Sequence, residues 1–249
     1  AGQTEQVLLE CRDLVYDALA SSRDVIAALE QSVERFAAIP TDRSVQKPVI
    51  GVTGEFYVRF NDFSNQNVIE QVENLGGEVW IAPAFEWFLY RNFRRDMRAG
   101  LDGDWLLRLK NAMMDKLMRR DEHTLAVPFT ELLQNALEPS SAEVLEMAEP
   151  YIHCSFEGEA VMTIGKAVDF ADKGLAGLIS IMPFTCMPGT ISHAVMRLVR
   201  EDKDGIPTLN MVYDGSEQAT ALTRLEAFMY SAREYMRSRQ GRLPQEVDA

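Results

Sequence analysis

Apolar residues recur every three or four positions over 4–38: Val7, Leu8, Cys11, Leu14, Val15, Ala18 and Leu19, then Val25, Ile26, Leu29, Val33 and Phe36. This spacing predicts one long amphipathic helix, with Asp24 or the Ser21 and Ser22 pair marking a break or a cap. Pro40 ends it, and 41–47 is a polar connection. From 48 the period changes. Residues 48–53, PVIGVT, read as a short strand running into an aromatic loop, 54–61. Ser64 or Asn65 then caps a helix with Val68, Ile69, Val72 and Leu75 on one face, Gly76 and Gly77 stop it, and 78–82, EVWIA, is the next strand. Strand, loop, helix and strand within about 35 residues form a βαβ unit, which predicts parallel strands and a right-handed crossover.

After Pro83 the pattern is helical for about 65 residues, with helices expected over 84–97, 105–120 and 129–137. A fourth helix opens at Pro139, Ser140 and Ser141, with Glu143 in capping-box spacing from Ser140. This insert, 84–149, reads as a lid, a side layer or an interface, including one for a homodimer, and its aromatic residues read as core. A short segment, 150–156, carries Tyr151, His153 and Cys154 and places Cys154 at a strand end. Helix 160–171, a strand within 174–182, helix 190–201, strand 206–213 and helix 217–239 follow, and the tail after Gln240 reads as disordered. The alternation predicts an α/β fold: a doubly wound, mainly parallel, flavodoxin-like sheet of four or five strands, with a helical insertion and the long N-terminal helix (1–40) packed across it.

The candidate chemistry lies where those strands end. The apolar run 175–182 is closed by Pro183, and the turn Phe184-Thr185-Cys186-Met187-Pro188-Gly189 leads to a helix start at Thr190 or Ser192. Open α/β sheets bind ligands at the carboxyl ends of their strands, so this turn presents Cys186 at the functional edge. A free cysteine that only packs is the plain alternative. Parallel strands would gather Gly54, Glu55, Arg59, Asn61, Glu86, the Cys186 turn, Asp214, Gly215 and Ser216 on the same edge, making Cys186, Glu55 and Asp214 neighbours. Glu55 and Asp214 are the candidate catalytic carboxylates, although Glu55 and Glu86 read equally as helix caps. Cys186 and Cys154, the latter beside His153, are the candidate metal or cluster ligands. Cys11 reads as packing, and His123 and His193 as surface or cap residues.

Composition narrows the classes. A net charge of −13 argues against a nucleic-acid groove and an anionic membrane surface. No apolar run approaches the ~20 residues of a membrane span. No secretory leader is visible, and the Ala1-Gly2 start reads as a cloning scar on part of a longer chain. Three cysteines without CxxC spacing give neither a disulfide framework nor the usual paired zinc spacing, and they point to a reducing, cytoplasmic compartment. Phosphate-loop, dinucleotide and nucleophile-elbow motifs are absent. Two thiolates are half of the usual four-thiolate cluster set.

Several stretches in series carry a resemblance. The motif GEFYVRFN at 54–61 with Ser64 and Asn65, VENLGGEV at 72–79 and EWFLY at 86–90 resemble the D-component family of 2-hydroxyglutaryl-CoA dehydratase. GEA at 158–160, PFTCMPG at 183–189, YDG at 213–215 and TRLEAF at 223–228 are similar to its branch of large activase-related proteins. The resemblance spans about residues 10–238. It implies tandem flavodoxin-like subdomains holding a 4Fe-4S iron–sulfur cluster through cysteines. An ATP-hydrolysing activator of the actin and sugar-kinase class would deliver low-potential electrons for acyl-CoA chemistry. Carried over, Cys186 matches the cysteine of the PFxCMP turn, with Cys154 second. The family's upstream cysteine-bearing subdomain and the activator's phosphate loops have no counterpart here, so the resemblance implies a carboxyl-terminal piece, incomplete as a catalyst. The expected function is a domain contributing Cys186, with Cys154, to a cluster between subdomains. Two alternatives stand beside it: a non-catalytic docking or regulatory domain for an ATPase partner, and a small-molecule enzyme using Glu55 and Asp214.

Overall fold

The computed structural model describes residues 2–41, 44–216 and 220–240. In chain order these form α1 (Gln3–Ala20), α2 (Val25–Ala37), β1 (Val49–Gly54), α3 (Phe56–Phe60), α4 (Val68–Asn74) and β2 (Glu78–Ile81). Next come α5 (Phe85–Leu101), α6 (Trp105–Ala126), a 3-10 turn (Val127–Phe129), α7 (Ser141–Ala148) and a second 3-10 turn (Cys154–Phe156). The chain continues through α8 (Glu159–Asp172), β3 (Gly177–Pro183), α9 (Met187–Asp202), β4 (Thr208–Tyr213) and α10 (Ala221–Gln240). The chain divides into two compact units, one of residues 1–45 and 87–140, the other of 46–86 and 141–249.

The second unit is the doubly wound α/β layer. Its four described strands are all parallel in the order β2-β1-β3-β4. Strands buried on both faces need continuous apolar runs rather than alternation, and VIGVTG and GLISIMP supply them. On one face Ile50, Val52, Ile179, Ile181, Leu209 and Met211 pack with Val58 of α3, Val68 and Val72 of α4, and Leu225, Phe228 and Met229 of α10. On the other lie α8 and α9. α8 is buried at every residue from Ala160 to Ala171, because α7 covers its outer side. Its Lys166 is 1% exposed and ion-paired to Asp169 at 2.7 Å, with the ammonium 4.8 Å from the Phe170 ring centre. Such a charge is tolerated in the interior only when paired.

The first unit is helical. The expected long N-terminal helix is instead an antiparallel pair, α1 and α2, reversed at Ser22, whose φ is +50°. Asp24 caps α2 by accepting from the Ile26 and Ala27 N–H groups at 2.9 and 3.3 Å. The Cys11 thiol faces the Ser32 carbonyl at 3.9 Å, and Arg35 reaches Glu10 at 3.3 Å. α5 and α6 are joined by the Asn92 side-chain amide donating to the Asn111 carbonyl at 3.1 Å.

Three further expectations change. The aromatic loop contains a helix, α3, because the Glu55 side chain caps it. Residues 129–137 form no regular helix: the Leu132 and Leu133 N–H groups both turn back to the Phe129 carbonyl, and the Thr130 hydroxyl takes up the Val127 carbonyl. Cys154 lies in a 3-10 turn rather than at a strand end, since the Tyr151 and Ile152 N–H groups bond back to Ala148 and not to a neighbouring strand. Glu217, the expected start of the last helix, and the tail after Gln240 lie outside the described residues.

Candidate functional site

The strand order reverses between β1 and β3, and doubly wound sheets take ligands at the carboxyl side of that switch point. β1 ends on Gly54, with φ +112°, where a side chain would run into the Ile181 carbonyl of β3. The tight turn lets the Glu55 N–H donate to the Ile181 carbonyl at 2.8 Å. Glu55 then bends back and accepts the Val58 N–H at 2.8 Å. Beside it, Glu159 at the start of α8 accepts the Phe56 N–H at 3.0 Å. Burial pushes the Glu159 carboxyl above its ordinary value; the Phe56 N–H pulls it back, the Glu55 charge raises it, and Arg59 lowers it. Arg59 is buried and pairs with Glu86 at 3.2 Å, with its guanidinium 5.3 Å from the Phe60 ring centre. The carboxylate brought beside Glu55 is therefore Glu159, which sequence reasoning did not single out as a site residue.

Cys186 is half-buried on the turn after β3 and occupies the cap position of α9. The turn is held at both ends. The Phe184 N–H donates to the Tyr213 carbonyl at 2.7 Å, the Cys186 N–H to the Pro183 carbonyl at 3.2 Å, and the Thr190 N–H and hydroxyl to the Cys186 carbonyl at 2.9 and 2.8 Å. Its thiol makes no cap bond, so the side chain is not committed to the helix it begins. Asp214 follows β4 on the same rim and is exposed. The Ser216 hydroxyl and N–H donate to it at 2.6 and 2.9 Å and hold its carboxyl below the usual range. Glu55 and Asp214 thus share the rim, but each is engaged locally, and the strand between theirs separates them.

Below the rim runs a row the sequence analysis did not foresee. Thr53, Ser180 and Asn210 are register partners across β1, β3 and β4, and the Thr53 and Ser180 hydroxyl oxygens and the Asn210 side-chain Oδ1 are buried without a hydrogen-bond partner. His193 of α9 closes over the row. Its Nε2 lies 3.2 Å from the Ser180 carbonyl, and the Asn210 amide donates to the His193 carbonyl at 3.2 Å. Burial pulls the imidazole below its ordinary value, the Ser180 contact opposes this, and Arg224 adds to it. A neutral ring donating Nε2–H satisfies the geometry. Strand register makes this row, so no local sequence signal could have found it.

Cys154 keeps different company. Burial pushes the Tyr151 hydroxyl above its ordinary value, and Asp202 at the end of α9 and Asp172 at the end of α8 add to this, which puts Tyr151 on the rim opposite Cys186. Cys154 follows on the stretch leading from there to Glu159, and its ligand atom groups with those of Glu149 and His153. Among the described residues, no group of three or more such ligands includes Cys186. All three cysteines are free thiols. No described helix is long and apolar enough to cross a membrane. No model of a known protein family matches the chain, and neither a curated protein nor a solved structure matches it.

Proposed function

We propose that this chain is a flavodoxin-like domain that contributes the Cys186 thiolate to an iron–sulfur site shared with another subdomain, in ATP-driven, low-potential electron transfer to acyl-CoA-type substrates. The observation that carries this reading is the uncommitted, half-buried Cys186 thiol on a doubly anchored turn at the carboxyl rim. The chain's cysteines fit a contribution and not a whole cluster. Four thiolates are the usual set, while Cys11 is buried between α1 and α2 and Cys154 groups with Glu149 and His153. When bound, the cluster supplies electron relay or Lewis acidity. The chain's own part is to hold the thiol in place, with the fixed turn removing the entropy cost of ordering it. Glu55 and Glu159 place two carboxylates side by side at this rim, so the complementary face would be basic. A reducing, cytoplasmic setting and an ATP-hydrolysing activator as electron donor belong to the same proposal.

The reading of Glu55 and Asp214 as an acid–base pair is disfavoured. Glu55 caps α3, and Asp214 is held ionised by Ser216. A docking domain for an ATPase partner is the second reading. It is favoured by the outward apolar face of α6, where Trp105, Leu109, Met113 and Leu117 are exposed at helical spacing. Anaerobic cluster reconstitution of the full-length chain separates the two. Visible absorbance that falls on Cys186→Ala supports the shared site; absorbance unchanged by Cys186→Ala removes it and leaves docking.

A further inference from the structure

We propose that Glu149, His153 and Cys154 form a binding site for one zinc-class divalent cation, separate from the Cys186 turn and independent of the reading above. Their ligand atoms, one carboxylate oxygen, one ring nitrogen and one sulfur, all lie within 4.8 Å of one another. His153 Nε2 is 3.7 Å from Glu149 Oε1. Oxygen, nitrogen and sulfur donors together suit zinc, which takes all three at about 2.0–2.3 Å, and three protein ligands leave a fourth position for water. A simple surface ion pair would account for Glu149 and His153, four residues apart, but not for a thiol converging on both.

The ring is also oriented. His153 Nδ1 lies 2.8 Å from the Ser155 hydroxyl. Nδ1 also accepts the Ser155 N–H at 3.2 Å, which leaves the proton of the neutral ring on Nε2. Binding through Nε2 displaces that proton; taken up by Nδ1, it is donated to the Ser155 hydroxyl, the kind of second hydrogen bond that commonly holds metal-binding histidines. The segment itself is pinned. The Glu149 N–H bonds to the Leu145 carbonyl at 3.1 Å, those of Tyr151 and Ile152 to Ala148 at 2.9 Å each, and that of Phe156 to His153 at 3.0 Å. Ile152, between the ligands, is buried. Binding therefore needs side-chain rotation rather than backbone ordering. On binding, a sulfur–metal bond forms and the thiol proton leaves to solvent. The Cys154 thiolate and Glu149 carboxylate together neutralise the dication, while His153 binds as the neutral ring. The paired spacing of structural zinc motifs is absent here, which is why the sequence did not announce the site.

Cobalt(II) titration of the purified chain under anaerobic, reducing conditions tests this. The expected result is a near-ultraviolet thiolate-to-cobalt band saturating at one cobalt per chain and displaced by zinc. It should be lost in Cys154→Ser, weakened at least ~10-fold in affinity in His153→Ala, weakened roughly 10-fold in Ser155→Ala, and unchanged in Cys186→Ser. Circular dichroism of each variant establishes that it is folded. Absence of the band, its survival in Cys154→Ser, or its loss in Cys186→Ser alone overturns the proposal.

Discussion

His193 shows how one residue's surroundings become a measurable property. Its imidazole is pulled down mainly by burial, so the unfolded chain takes up a proton at a higher pH than the folded one. The unfolded state then binds more protons below about pH 6.5, and stability is lost as the pH falls through that value toward the folded one. Denaturant midpoints between pH 7.5 and 5 should fall for the natural chain and fall less steeply for His193→Gln. Parallel curves would mean the ring is not held neutral. At this scale the sequence was legible where partners are local. Asp24 capping α2 follows from neighbours two or three positions away, and a cap is one of the two readings of Glu55, although the helix it caps reads as a loop. It was opaque where they are distant: the Phe56 N–H meets Glu159 only because α8 begins beside the β1 turn.

Among the elements, α8 tolerates little change. At Gly165 its backbone approaches that of α7 so closely that a Cβ would overlap the Val144 carbonyl. Gly165→Ala should therefore push the two helices apart and cost about 1–3 kcal/mol, read as a lowered denaturation midpoint. An unchanged midpoint would mean that α7 gives way freely. Strands β1 and β3 were readable because each is an apolar run between turn residues, and β4, TLNMVY, because it lies between a helix and the turn Asp214-Gly215. α3 was not, because Phe56, Tyr57, Val58 and Phe60 favour a strand by propensity and only the Glu55 cap and the packing of Val58 override it. α9 starts at Met187 rather than at Thr190 because Pro188, rather than preceding the helix, sits in its first turn.

For the molecule as a whole, the two units make opposite demands on the chain. All four described strands, together with α3, α4 and α7 to α10, belong to one unit, and residues 87–140 of the helical unit interrupt its sequence. A chain lacking 1–45, with 87–140 replaced by a flexible Gly/Ser linker, should keep a cooperative unfolding transition and the near-ultraviolet circular dichroism of a packed sheet. A non-cooperative, dye-binding product would show that the sheet cannot stand without the helices. The fold class was legible at this scale because alternating strands and helices permit few layered arrangements. The grouping of 1–45 with 87–140 in one unit was not, because the two segments are far apart in sequence and no local pattern records their contact.

The pairing of Gly54 with Ile181 has a consequence for synthesis. The two innermost strands are neighbours in space but far apart in order of translation. At ~5–20 residues per second, β1 leaves the ribosome roughly ten seconds before β3 exists to cover its inner edge. During that interval the nascent chain carries an open, apolar strand margin, the kind of surface that chaperones bind and that other chains can mispair with.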